Sequence, residues 1–199
     1  MNTPRILTAG IATLLALPIA ARAVDYHWTA NPGNNNWSDA GNWDAGVPVS
    51  GGNRIFVHTN GSFNILGPAL DAGLMILAVG NAGDPLSGYT FGAGTYNVGT
   101  IYVGENKNAN IDAIALNNGY GRAFINAGTT INVGAFHLGE WDGASGHVVQ
   151  SGGDVNVSHQ FRLGHWPQAG GAQNSYTMNG GTMTMTGPAG DTKIGRAHV

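Results

Sequence analysis

Two tryptophans in the second half of the chain have the side chains best suited to binding a ligand. Trp141 follows Glu140 and Trp166 follows His165, at matching places in a repeated segment. An exposed indole ring offers a flat apolar face and one polar N–H, which suits the face of a sugar ring. Trp141 and Trp166 are therefore candidate ligand-binding residues. The alternative is that the two rings pack against each other as a ladder at the base of a loop.

Catalytic chemistry would need groups that the sequence does not bring together. A glycosidase uses two carboxylates about 5 to 9.5 Å apart. Asp142 and Asp154 are the acids of the coils apart from Glu105 and Glu140, and nothing fixes Asp142 and Asp154 as a pair. Calcium-roll repeats, phosphate-binding glycine loops and the G-x-S-x-G motif do not occur in it. We expect no catalytic residue and no cofactor, and a β-helical polysaccharide lyase or glycosidase stays an alternative. The bases available to a lyase in the repeats are Lys107, Arg122, Arg162 and Lys193.

A metal site built from His137, Glu140 and His165 is the other chemistry to consider. Residues three apart on a strand tend to point to opposite faces of the sheet. His137 and Glu140 have this spacing, so we expect no metal site here.

These residues belong to a segment that recurs along the chain. Each copy has an apolar alternation, a glycine corner, a second alternation and a strand closing on Gly. One copy cannot bury its own apolar face, so repetition indicates that copies stack on one another. The corner glycines are Gly61, Gly94, Gly128, Gly153 and Gly181, and the shortest interval between two of them runs from Gly128 to Gly153.

This shortest interval suits three strands of about five residues, which is one coil of a parallel β-helix. We therefore predict an all-β, right-handed parallel β-helix. Hairpins in an up-and-down barrel are the alternative, because closely spaced turn signals between short strands are typical of such barrels too. The alternation predicts inward columns at Tyr96, Val98, Ile131, Val133, Val155, Val157, Met183 and Met185, with Asn97, Asn132, Asn156 and Thr184 outward between them.

A second glycine closes each coil and predicts positive φ or a close approach to the next coil. These closing glycines are Gly80, Gly104, Gly139, Gly164 and Gly195. Insertions fall between the closing Gly and the next strand, as in 105–122 and 166–174, where binding surfaces of repeat proteins are usually built.

The N-terminal segment 1–23 has the pattern of an export signal. Arg5 precedes an apolar run, and Ala21-Arg22-Ala23 is a small-x-small cleavage site. Without 1–23 the chain would lose two of its 8 basic residues and none of its 11 acidic ones, for a net charge of about −5. Such a balance argues against nucleic acid as a partner. The chain has no Cys, so an exported form would contain no disulfides.

The segment 24–52 contains three of the five tryptophans, Trp28, Trp37 and Trp43. A stack of coils needs a cap at its end, and these rings could cover the apolar column. The alternative is that they are aromatic platforms for sugar rings. We divide the chain into the signal peptide 1–23, the Trp-rich cap 24–52 and the repeats 53–199.

The cap and the repeats together resemble a known family. A Trp, then NNWS, a second NW and a Pro lie within 26–48, and φ-x-GG-x-φ-x-φ copies follow from Phe91 to Arg196. These motifs resemble exported bacterial proteins with autotransporter-associated β-strand repeats. The resemblance implies a parallel β-helix passenger at or beyond the outer membrane, often joined to a β-barrel translocator or a PEP-CTERM sorting tail.

This sequence contains neither of those C-terminal elements. The residues 194–199, IGRAHV, match what a common sequencing adapter encodes in one frame, so we expect a truncated gene fragment. The alternative is that Lys193 to Arg196 form a real closing corner. If the gene is truncated, attachment to a membrane would depend on a C-terminal anchor that is missing from this sequence.

Together these observations predict an exported, non-catalytic surface passenger with a structural or adhesive role. A polysaccharide or a cell-surface component is the expected partner. A carbohydrate-binding module using Trp141 and Trp166 is the first alternative, and a carbohydrate-active enzyme is the second.

Overall fold

The computed structural model describes residues 23–29, 33–58, 63–80, 82–105, 119–140, 143–164 and 173–187, and the backbone of 192–194. The described chain is almost entirely β-structure, with one 3₁₀ turn at Ala40–Asn42. No helix in these ranges has the length and apolar character needed to cross a membrane. The strands are β1 (Asp25–His27), β2 (Arg54–His58), β3 (Asn64–Gly67), β4 (Asp71–Ala78), β5 (Gly88–Phe91), β6 (Gly94–Val103), β7 (Tyr120–Ile125), β8 (Thr129–Leu138), β9 (Ser145–Leu163), β10 (Ser175–Met185) and β11 (Thr192–Ile194).

All pairings between these strands are parallel, which confirms the prediction of parallel stacking and rules out hairpins between them. The strands form two ladders, β3-β5-β7-β9 and β1-β2-β4-β6-β8-β9. The long strand β9 belongs to both, because its first part pairs with β7 and its second part with β8. The sheet therefore curls around a core as a half-barrel.

The core is built from the inward columns that the alternation predicts. Tyr96, Ile131 and Val155 pair in register, and all three are fully buried. Full burial of such a side chain contributes about 1.5–3 kcal/mol. The prediction is wrong for Met185, which is 39% exposed. Its strand β10 pairs with β9 alone among the described strands, so no strand of this part of the chain covers it.

The outer face of the second ladder is also shielded from solvent near its start. Phe56 and Ile76 alternate with inward residues on β2 and β4 and pair in register. Their side chains are only 0% and 1% exposed. Both faces of the sheet are therefore buried at this level, which a period of two does not reveal.

The corner glycines have the backbone conformation that the repeat predicts. Gly153 has φ 72° and Gly104 has φ 70°, a region in which side chains with a Cβ are strained. A Cβ on Gly104 would also overlap the carbonyl oxygen of Ser145, the first residue of β9. Positive φ values are also found at Gly80, Gly94, Gly128, Gly139, Gly164 and Gly181, whereas Gly61 and Gly195 lie outside the described residues.

A further row of glycines lies inside the strands. A Cβ on Gly99 would overlap the carbonyl oxygen of Gly73, and one on Gly134 would lie 2.5 Å from that of Gly99. The three residues, on the neighbouring strands β4, β6 and β8, therefore stack in direct backbone contact. We call this the glycine row.

The N-terminal tryptophans pack into the core and not on the surface. Trp28, Trp37 and Trp43 are only 3–5% exposed. Ring centroids are 5.0 Å apart for Trp28 and Trp43 and 5.8 Å apart for Trp37 and Tyr89, both edge to face. The burial of these rings is that expected of a cap, and the alternative of exposed platforms for sugars is wrong.

Candidate functional site

Three asparagines on the outer face form a hydrogen-bonded column that crosses successive strands. Asn97 of β6, Asn132 of β8 and Asn156 of β9 are in register. Each donates its side-chain N–H to the residue before it in the stack: Asn156 to Asn132 at 3.0 Å, Asn132 to Asn97 at 2.9 Å, and Asn97 to Asp71 at 2.7 Å. We call this set the asparagine column.

The asparagine column lines an open groove of about 480 Å³. The glycine row contributes Gly99 and Gly134 to the floor of the groove, and Ser158 and Thr186 contribute hydroxyls. None of the lining residues is charged. They are Asn97, Val98, Gly99, Asn132, Val133, Gly134, Asn156, Ser158 and Thr186.

The column leaves hydrogen-bonding capacity at its middle level. A primary amide has two N–H donors and two carbonyl lone pairs. Within the column, Asn132 uses one donor towards Asn97 and one lone pair for Asn156. The second donor and the second acceptor of this amide are therefore not used within the column.

A parallel row of shorter polar side chains lies two positions earlier on the same strands. Thr95, Thr130, Asp154 and Thr182 are in register. Thr182 Oγ1 donates to Asp154 Oδ1 at 2.6 Å. The outer face thus repeats two polar positions on each coil, and the acid considered for glycosidase chemistry accepts a hydrogen bond from a threonine.

A second cluster of polar residues gathers where β6, β8 and β9 end. His137 Nδ1 lies 3.2 Å from Glu140 Oε2, and Arg162 Nη1 lies 3.8 Å from Glu140 Oε1. The expectation that His137 and Glu140 face opposite sides is therefore wrong. β8 ends at Leu138 and Gly139 turns the chain with φ 65°, so the strand alternation does not extend to Glu140.

The cluster is shielded from solvent, which limits its chemistry. Glu105 is 1% exposed, Glu140 5% and His137 4%. The Tyr102 ring packs edge to face on His137 at 4.9 Å. Burial raises the pKa of Tyr102 to about 12, with the charges of Glu140 and Glu105 acting in the same direction and that of Arg162 opposing them. The buried carboxylates of Glu105 and Glu140 are therefore not exposed to a sugar chain at the surface.

Arg122, a base considered for lyase chemistry, is held by contacts with neighbouring residues. It lies over the ring of Tyr120 at 5.4 Å and donates to the carbonyl oxygen of Asp84 at 2.6 Å. Among the described residues, no group of three or more His, Asp or Glu is placed to hold a metal ion.

The two predicted ligand-binding tryptophans, Trp141 and Trp166, lie outside the described residues, as do Asp142, His165 and Lys107. The structure therefore places neither the predicted sugar-binding strip nor the metal set completed by His165. The groove beside the asparagine column was not predicted as a site, although its asparagines were correctly predicted to point outward. Their recurrence beside an inward Val on each coil was the available signal.

Comparisons with known proteins do not assign the chain to a class. No protein-family model matches the sequence, and no match is found among the curated proteins or the solved structures.

Proposed function

We propose that this protein is a non-catalytic passenger of an exported surface protein, folded as a right-handed parallel β-helix, with a structural or adhesive role. The observation that carries the proposal is the in-register parallel stack. Asn97, Asn132 and Asn156 repeat one outer side chain on neighbouring strands, as a scaffold that presents a uniform surface would. The signal-like residues 1–23 and the resemblance to autotransporter-associated repeats support export to the cell surface.

The absence of catalytic activity in this proposal rests on where the acids lie. Glu105 and Glu140 are buried, and Asp154 accepts a hydrogen bond from Thr182. A glycosidase needs two carboxylates facing one sugar across a cleft. These three acids of the described coils do not form such a pair.

Two measurements test this proposal. The purified chain is incubated with neutral and anionic polysaccharides while new reducing ends and unsaturated products are followed. We expect neither, and release of either product above the level of a heat-denatured sample would overturn the non-catalytic role.

For export, the chain is expressed with and without residues 1–23 in a Gram-negative host. We expect cleavage before Val24 and exit from the cytoplasm only with the segment, and cytoplasmic retention of both forms would overturn export.

Carbohydrate binding is the second candidate function, and the groove beside the asparagine column favours it. Its uncharged polar lining has the composition of a site for hydroxyl-rich ligands. This site differs from the strip of Trp141 and Trp166 that the sequence suggests.

A further inference from the structure

We propose that the groove beside the asparagine column binds a neutral polysaccharide, with the sugar chain lying across the strands along the stacking direction. The inference rests on the proposed adhesive function and gives it a ligand class and a place. The residues that would contact the polymer are Asn97, Asn132, Asn156, Ser158 and Thr186, over the floor of Gly99 and Gly134.

Hydrogen-bond chemistry is the first argument for this ligand. The Asn132 amide in the middle of the column keeps one donor and one acceptor after the column's own bonds are counted. A sugar hydroxyl both donates and accepts, so it can satisfy both groups at the same level. Ser158 and Thr186 add hydroxyls to the lining of the groove.

Spacing is the second argument. Strands in register repeat about every 4.8 Å along the stack, which is close to the length of one pyranose ring in an extended chain. The amides of Asn97, Asn132 and Asn156 therefore offer the same kind of group once per sugar unit. The groove volume of about 480 Å³ lies within the range of ligand sites.

Charge is the third argument, and it selects a neutral polymer over an acidic one. The lining residues carry no charge. Asp71 lies at one end of the column and Asp154 beside it on β9, and the whole chain has a net charge of −3. A polyuronate or a nucleic acid would be repelled at this face.

The shape of the floor is the fourth argument. The glycine row presents backbone without side chains, so the apolar C–H face of a sugar ring can approach closely. Gly99 is exposed and Gly134 is partly exposed at this floor. The close backbone approach between them also fixes the spacing of successive levels.

Three tryptophan variants of the full chain test the groove. Ser158→Trp and Thr186→Trp place a large ring in it from exposed positions on neighbouring coils. The matched control Ser151→Trp changes another exposed serine of β9 that does not line the groove. Folding of each variant is checked by its circular dichroism spectrum and thermal midpoint, and two groove variants are made in case one does not fold.

Binding is measured by affinity electrophoresis in gels containing a soluble β-glucan, a soluble mannan or polygalacturonate. We expect retardation by at least one neutral polymer and not by polygalacturonate. We also expect the affinity for that polymer to fall about tenfold or more in both groove variants. The affinity of Ser151→Trp should be unchanged. Equal retardation of the groove variants and the parent chain would overturn the groove as the site while leaving an adhesive role intact.

Two other outcomes would also overturn the inference. Retardation by polygalacturonate alone would contradict the neutral ligand. Retardation by none of the polymers would contradict binding itself and leave only a structural role. Depolymerisation of a gel polymer, seen as new reducing ends, would instead contradict the non-catalytic function, so the two failures are distinguishable.

Discussion

His137 and Glu140 form a buried contact, with Nδ1 and Oε2 3.2 Å apart, although the two residues lie on either side of the turn at Gly139. Arg162, from the next level of the stack, approaches the other oxygen of the same carboxylate. The carboxylate of Glu140 thus contacts side chains of two neighbouring strands, His137 of β8 and Arg162 of β9.

Replacing Glu140 by Ala is expected to reduce the free energy of unfolding by about 3 kcal/mol, because removing one partner leaves buried polar groups uncompensated. Asp154→Ala is the control, since that acid is exposed and its change should cost about 1 kcal/mol or less. Urea unfolding followed by circular dichroism measures both. A smaller loss for Glu140→Ala than for Asp154→Ala would contradict the structural role of the cluster.

The inward column makes a prediction about packing at Ile131. Its side chain is fully buried between those of Tyr96 and Val155. Ile131→Ala should cost about 2–5 kcal/mol, and the control Ile131→Val about 0.5–1.5 kcal/mol, because a larger cavity forms in the first variant. The urea midpoints of the two variants give the comparison. Equal midpoints would mean that the column is not close-packed.

The glycine row makes a prediction about backbone contact. Gly99→Ala places a Cβ against the Gly73 carbonyl, whereas a Cβ on Gly52 would have no atom within 4 Å. Gly99→Ala should therefore destabilise the fold by about 1–3 kcal/mol, the usual cost of overpacking. Gly52→Ala should leave stability unchanged or raise it by up to about 1 kcal/mol. Thermal midpoints in the reverse order would contradict the stacking of this row.

The asparagine column predicts graded effects of its members on stability. Asn132→Ala removes two side-chain hydrogen bonds and Asn156→Ala removes one. Each bond contributes about 1 kcal/mol at most at such a partly exposed site. Asn132→Ala should therefore lose about twice as much as Asn156→Ala in urea unfolding, and a larger loss for Asn156→Ala would show that the column is not a continuous ladder.

His58 predicts a loss of stability in acid. Burial, with a smaller contribution from the charge of His27, lowers the pKa of His58 from 6.5 to about 3. The unfolded chain therefore binds a proton that the folded chain does not, so stability falls as pH drops from about 6.5 towards 3, by at most about 1.4 kcal/mol per pH unit.

His58→Gln removes this contribution and leaves the carboxylates unchanged. The measurement is the urea midpoint at several pH values between 7 and 4 for both proteins. We expect the loss between pH 7 and pH 4 to be smaller in the variant. Parallel pH profiles would contradict a neutral His58 in the folded protein.

Much of the fold could be predicted because the same pattern of alternation and glycine corners recurs several times along the chain. The alternation around Tyr96, Ile131 and Val155 shows which side chains point inward, and the glycines at the described corners mark positions of positive φ. Stacking in register then follows, since equivalent residues lie above one another.

The features that were missed depend on contacts between coils or across a turn. Alternation along a strand predicts one buried face. It therefore does not predict that Phe56 and Ile76, on the opposite face, are buried as well. The alternation of side chains also ends where a strand ends. Because Gly139 turns the chain after β8, Glu140 lies on the same side as His137, which alternation alone does not predict. The groove was missed because Asn132 and its neighbours look like ordinary outward positions until their hydrogen bonds are seen.

The uneven burial along the inward column implies that the stack does not open everywhere with equal ease. Ile131 and Val155 are fully buried, whereas Met183 of β10 is only partly buried and Met185 is 39% exposed, and the tryptophans at the other end are enclosed. Among the described strands, local opening should therefore begin at β10 before it reaches the strands beside Trp43. In hydrogen exchange, the amides of β10 should exchange before those of β2 and β4.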